Sequence, residues 1–355
     1  MVRWFREALL ALRKEQTTDL THQSLDVQRP QFGLFFSLAI VIPLVVILST
    51  HLWLRSAYTA NVFHLQGFLE QYGNSIYRYR ILGRELLLSI YRLLASHRHD
   101  QPFAMPTDAD ATLLFYGAYV LLNAVLFFFS NLILLLFLWD WKKGITDSRL
   151  ALYFFVVLIL ALSTYAVTPY DQLAYFLMLA CFLSFRIQTS WIMYLILGIA
   201  AIAGGLNRET EFLVTSALWT TGIFAAPAAS KRYFRAGLFH LLLFAACYIG
   251  LRILLPGTPA IAGGLTLGGK WPLPSLLVVS TLFYIAVSMA VREYPNRKPS
   301  IVLLVLSAPY VVTILVGGQL RELRLLVPLL LCLLFIYIQL AHVKMQRLTF
   351  DTAPD

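Results

Sequence analysis

Long apolar runs alternate with short polar segments along most of the chain. The runs are mostly about 16–25 residues long, the length a helix needs to cross about 30 Å of hydrocarbon. Ten spans are predicted, at 33–52, 111–138, 150–167, 172–185, 191–206, 212–228, 234–254, 272–291, 300–316 and 325–341. The fourth is short, and the second is long enough to tilt or overhang. No β-barrel alternation is present, so the spanning elements are helices, whose backbone groups are satisfied internally. The expected fold is therefore all-α, a polytopic transmembrane helix bundle of about ten spans. Residues 1–32 form an amphipathic and polar N-terminus, 33–341 the transmembrane domain and 342–355 a tail.

The first polar segment, 53–110, is far longer than the rest. Within it Ile76, Tyr79, Leu82, Leu86 and Ile90 recur at helical spacing, which predicts one or two amphipathic helices lying at the membrane surface. Arg80 and Arg84 fall one turn apart on another face. The stretch from His97 to Asp110 contains Pro102 and Pro106 and reads as a mobile, solvated loop; His97, His99 and Asp100 are too loosely spaced for a metal site.

Composition narrows the class further. Of 355 residues, 59% are hydrophobic and 13% charged, whereas soluble domains carry about 25% charged residues. The mean hydropathy of +0.73 leaves no room for a large soluble domain. A net charge of +10 raises nucleic acid as a partner, but no basic stripe is interleaved with stacking aromatics, and that partner is set aside. The basic excess suits cytoplasmic loops instead. WDWKKGITDSR, FRIQTSW, SKRYFR, REYPNRKPS and HVKMQR are each net basic and fall on one side. That orientation predicts cytoplasmic N- and C-termini. Cys181, Cys247 and Cys332 lie inside apolar runs without metal or disulfide spacing, as small core residues do. No metal and no cofactor are expected.

The mixed-charge segments fall on the opposite, external side: residues 77–86 (YRYRILGREL), TPYDQ, NRETE and QLRELR. Ionisable side chains at a bilayer are costly and often functional. Asp171, at the start of the fourth span, is either a base or an N-cap. Asn207, Arg208 and Glu209 join two spans with almost no loop, as a tight turn or a phosphate site. Gln319, Arg321, Glu322 and Arg324 open the last span, and Arg321 and Arg324 share a face. Tyr77, Arg78, Arg80 and Arg84 add the strongest external basic element. The planar fork of Arg matches phosphate oxygens, so these segments together suit a phosphate or pyrophosphate head group. Lipid contact by the same cations is the plainer reading.

Many helices, a long first external loop with surface helices, and acidic and Arg residues at outer helix ends resemble the GT-C glycosyltransferases. RYRILGREL, DQLAYF, NRET and ELR also look like segments of bacterial integral-membrane proteins near that superfamily, which implies an inner (plasma) membrane of bacterial type. The resemblance implies transfer of a sugar from a polyprenyl-phosphate donor, with membrane lipid as the other partner. It also implies an acidic residue soon after the first span. Here HLWLRSAYTANVFHLQGFLEQYGN contains no Asp, and its first acid is Glu70. A second acidic position in that superfamily lies between the third and fourth spans, where Asp171 stands. Asp171 is therefore the first candidate base, with Glu70 and Glu85 behind it and Gln172 beside it. In this chemistry an acid takes the acceptor proton while Arg groups stabilise the departing phosphate. A polymerase or ligase of lipid-linked polysaccharide, with Arg residues on a pyrophosphate, is the alternative enzyme. A transporter or flippase of an anionic lipid or saccharide is the alternative class, although the charges lie at helix ends rather than at midplane.

Overall fold

The computed structural model describes residues 33–53, 62–74, 76–103, 108–140, 144–165, 168–187, 189–255, 281, 288, 296–317 and 323–351. Among them the regular structure is helical, apart from isolated bridges pairing Pro102 with Thr112 and Asp140 with Gly144. A π-turn at Ser37–Val41 leads into α1 (Ile42–Trp53). Next come α2 (Leu65–Asn74), a 3-10 turn at Ile76–Tyr79 and α3 (Ile81–Ala95). The bundle continues with α4 (Leu113–Leu138), α5 (Asp147–Leu162), α6 (Asp171–Ser184) and α7 (Ser190–Gly205). A 3-10 turn at Glu209–Phe212 opens α8 (Leu213–Phe224), followed by α9 (Pro227–Leu254). The last described elements are α10 (Lys298–Leu306), α11 (Ala308–Gly317) and α12 (Leu323–Asp351). The segment expected at 1–32 lies outside the described residues, as does that at 272–291 apart from residues 281 and 288.

Among the described residues, four stretches are long and apolar enough to cross a membrane: Gly33–His51, Leu113–Leu138, Ala229–Leu254 and Arg324–Ala341. The last is 89% buried and the first only 22%, which makes α12 the central post. Phe335 of α12 stacks on Phe182 of α6 at 4.3 Å and on Phe137 of α4 at 6.1 Å. On the outside, Trp191, Leu195, Ile199 and Ile202 form an exposed stripe along α7, and Leu121, Val125 and Phe129 another along α4. Their spacing of three or four puts each set on one helix face. Apolar stripes of this kind suit contact with lipid tails rather than water.

Helix length positions the polar ends. Arg186, just past α6, donates to the carbonyl of Phe137 near the end of α4 at 3.2 Å. Arg232 donates to the carbonyl of Ile187 at 3.0 Å. Basic side chains here satisfy carbonyls that helix termini leave open, so α4 and α6 finish level at this end. At 1.5 Å per residue α4 is about 39 Å long and α6 about 21 Å. At its other end α4 therefore overshoots α6 by about 18 Å.

The overshoot is covered by α2 and α3. Phe63, Phe68, Leu87, Phe115 and Tyr119 form a second core there, apart from the main one. The stretch expected to be a mobile loop is instead tied down where it is described. Asp100 accepts from Thr112 Oγ1 at 2.7 Å and from the Leu114 amide at 2.9 Å, at the start of α4. Buried Asp108 accepts from the Phe63 amide at 2.8 Å. The acids satisfy backbone donors that a folded-in chain would otherwise leave open. Two further expectations change: the ninth span is broken at Ser307 between α10 and α11, and α12 runs past Ala341 to Asp351.

α3 lies directly on the turns that precede α6 and follow α7. The Leu82 amide donates to the Leu206 carbonyl at 3.0 Å. A Cβ on Gly83 would sit 2.6 Å from the Pro169 carbonyl oxygen and 3.0 Å from Asn207 Oδ1. Backbone cannot yield as a flexible side chain does. Gly83→Ala should therefore lift α3 and destabilise the protein by about 1–3 kcal/mol. Gly117→Ala, with nothing within 4 Å, should be neutral or slightly stabilising. Thermal unfolding in detergent separates the two; equal effects would break the close-contact argument.

Candidate functional site

Three helix ends converge beneath α3. Asp171 is the first residue of α6, where the helix dipole favours a carboxylate. The cap expected of Asp171 is supplied by Thr168, whose Oγ1 accepts the Asp171 amide at 3.2 Å. That leaves both carboxylate oxygens for cations. Arg208 Nη1 donates to Oδ1, and Arg324 Nη1 donates to Oδ2 at 3.3 Å. All three side chains are buried.

The surroundings hold this triad in register. Arg208 is extended between α7 and the following 3-10 turn. The turn before it is closed by the amides of Asn207 and Arg208, both donating to Gly204 at 3.0 and 2.8 Å. Asn207 Nδ2 donates to the Tyr170 carbonyl at 3.0 Å, joining the NRETE and TPYDQ segments. At the start of α12 the Tyr175 hydroxyl donates to the Arg324 carbonyl at 3.1 Å, and the Tyr310 hydroxyl to the Leu325 carbonyl at 2.8 Å.

A second layer lies outside the first. Arg80 Nη2 pairs with Glu209 Oε1 at 3.0 Å, and the Arg80 guanidinium stands 4.2 Å from the centre of the Tyr170 ring. Arg252 stacks on Tyr248 at 3.4 Å and on Tyr79 at 4.7 Å. Arg78 donates to the Leu255 carbonyl. A small cleft opens between these groups, lined by Tyr79, Arg80, Arg208, Glu209, Tyr248 and Arg252.

The electrostatics favour an anion. Burial by itself would raise the Asp171 carboxyl, but Arg208, Arg324 and Arg80 outweigh it and hold the carboxyl below its usual range. Desolvation likewise opposes ionisation of Glu209, and Arg80 with Arg208 overcomes it, lowering the group to about 2. The Glu209 side chain is 47% exposed, so water screens part of that effect. Arg208, Arg324 and Arg80 thus converge on Asp171 and Glu209, and the buried Arg208 Nε has no hydrogen-bond partner. An anion reaching the cleft would meet that open donor.

The other sequence candidates are distributed as follows. Arg84 pairs with its neighbour Glu85 at 2.9 Å and is absent from the cations acting on Asp171; Arg80 supplies that side of the site. Glu70 is exposed on α2 and accepts from Gln66, which leaves it outside the cluster. Gln172 turns inward, donating to the Leu160 carbonyl at 3.1 Å, and acts as a strut between α5 and α6. The Tyr77 side chain and residues Gln319, Arg321 and Glu322 lie outside the described residues. Sequence reasoning missed Arg252, Tyr248 and Tyr170. The available signal was Arg252 itself, a charge near the end of an otherwise apolar run.

Asp171→Asn removes the charge that holds two buried guanidiniums. Breaking a buried pair in this way costs about 3–5 kcal/mol, so thermal unfolding of the variant should shift strongly downward. A shift no larger than that of a surface substitution would show that Asp171 does not hold the cluster.

No family model matches the chain, and neither the characterised proteins nor the solved structures contain a match to it.

Proposed function

We propose that the protein is an integral-membrane glycosyltransferase that moves a sugar from a polyprenyl-phosphate donor to an acceptor hydroxyl at the external membrane face. Arg208, Arg324 and Arg80 take the phosphate of the donor. The observation that carries this reading is the convergence of Arg208, Arg324 and Arg80 at adjoining helix ends, with the buried Arg208 Nε unpartnered. A lipid-tailed substrate suits the surroundings as well. Beside Tyr248 and Arg252 the same helix exposes Ile249, Ile253 and Leu254, at 56%, 71% and 78%. A phosphate bound in the cleft would have its tail against an apolar surface.

In the reaction the acceptor oxygen forms a bond to the anomeric carbon as the bond to the phosphate oxygen breaks. The electron pair leaves with the phosphate, the acceptor proton passes to Asp171 in this reading or to the departing phosphate where Asp171 does not take it, and the arginine forks stabilise the charge that develops. Asp171 is a poor proton acceptor, because two ion pairs occupy its oxygens and lower its basicity. That observation favours the second reading, a polymerase or ligase of lipid-linked polysaccharide. In it Asp171 positions the arginines and the donor carries a pyrophosphate.

The two readings separate in one assay. Protein in lipid nanodiscs is offered a panel of polyprenyl-phosphate and polyprenyl-pyrophosphate sugars, and released lipid phosphate is measured. Arg208→Lys keeps the charge and loses the fork, so KM for the donor should rise about ten-fold or more. If Asp171 is a base, Asp171→Asn should lower kcat by about 10²–10⁴-fold with KM unchanged. If it positions the arginines, KM should rise as in Arg208→Lys. Lack of donor binding and of phosphate release across the whole panel would sink both.

The proposal needs ten spans with both termini cytoplasmic, so that TPYDQ, NRETE and the start of α12 face outward. Single cysteines introduced at Ser230 and Thr266 should then react with impermeant reagent from opposite sides. Reaction of both from one side would remove the external site.

A further inference from the structure

A second polar group lies deeper in the bundle, on different side chains from the arginine cluster. Cys181 of α6, Glu211 of the 3-10 turn before α8, and His240 of α9 are all buried. One ligand atom from each, the thiol sulfur, a carboxylate oxygen and a ring nitrogen, lies within 4.8 Å of the other two. Neither Glu211 oxygen has a hydrogen-bond partner, and His240 Nε2 has none. An ionised carboxylate cannot stay unpaired in such surroundings at tolerable cost.

The hydrogen bonding of His240 prepares it for a cation. Thr215 Oγ1 donates to the Gly237 carbonyl at 3.4 Å and stands 3.1 Å from His240 Nδ1. With Nδ1 engaged by Thr215, Nε2 is the ring nitrogen open to a ligand. A partner on the other ring nitrogen of a metal-binding histidine is the usual arrangement. Gly204 makes room for the acid, since a Cβ there would collide with the Glu211 side chain.

We propose that Cys181, Glu211 and His240 form a binding site for a divalent transition metal of the zinc class. Thiolate, carboxylate and imidazole are the ligand types such an ion selects. With the thiol and carboxyl protons released on loading, the two anionic ligands balance the ion, and the assembly is neutral, as an apolar interior requires. At zinc-ligand lengths of about 2.0–2.3 Å, ligand atoms stand about 3.3–3.8 Å apart, so the three side chains close in by about 1 Å. The ion would tie α6, α8 and α9 together below the arginine cluster. The site is independent of the sugar-transfer reading and replaces the sequence expectation that no metal is bound.

The test uses the full chain without an affinity tag, purified in detergent. Zinc content should be near one per chain. Protein stripped of zinc and titrated with Co2+ should develop a thiolate-to-cobalt charge-transfer band. Cys181→Ser should abolish the band, and Cys247→Ser should leave it. Thr215→Val, which frees the histidine ring but keeps all three ligands, should weaken Co2+ binding by about 10–100-fold. Size-exclusion profiles report whether each variant folds. If a variant does not fold, the wild-type titration still decides. No band in wild-type protein overturns the site and leaves Glu211 as a neutral buried acid. A band that survives Cys181→Ser, or Co2+ affinity unchanged in Glu211→Gln and His240→Ala, overturns it as well.

Discussion

The burial of Asp171 between Arg208 and Arg324 is the interaction on which the outer half of the structure depends. Charges removed from water cost several kcal/mol each unless geometry and further hydrogen bonds repay the loss. The surrounding chain supplies both. The three residues come from three helix ends far apart in sequence, so each of those ends has to be held in place. Thr168 closes the start of α6, Gly204 closes the turn before Arg208, and Tyr175 and Tyr310 fix the backbone where α12 begins. The tyrosine hydroxyls in turn find acceptors where the helix leaves carbonyls accessible. Loss of the central charge would leave these supports in place around two mutually repelling cations.

Unequal helix length turns this cluster into a roofed site. α6 and α8 are short, α4 is long, and the excess of α4 carries α2 and α3 over the cluster. Contact between the roof and the floor is backbone on backbone at Leu82 and Gly83, which leaves little slack between them. Among the described residues the cleft is bordered by the stacked Tyr79, Arg252 and Tyr248. Aromatic faces hold a guanidinium in place without neutralising it, so Arg252 stays available to an anion at the mouth.

The same short helices bring polar groups far into the bundle. Glu211 follows Arg208 by three residues, yet Arg208 reaches the ion cluster while Glu211 packs toward Cys181 and His240. One tight turn thus serves two environments. Above it Arg208 joins Arg324 and Arg80 around two carboxylates. Below it lies an unpaired acid with a thiol and an imidazole, which calls for a cation.

By itself the sequence determined the helical class and most helix positions, because apolar runs longer than any soluble strand leave no other way to satisfy the backbone in lipid. It also singled out TPYDQ, NRETE and the start of the last helix as places where charge is costly and often functional. Tertiary structure decided the pairing. Asp171, Arg208 and Arg324 are separated by 37 and 153 positions from their partners, and no local pattern links them. It also decided that Arg80 rather than Arg84 faces the site, since a 3-10 turn ends and α3 begins between Tyr79 and Ile81, which breaks the single helical register that the spacing implied. The cluster of Cys181, Glu211 and His240 was equally invisible, because three isolated residues on three helices form a group only when those helices pack.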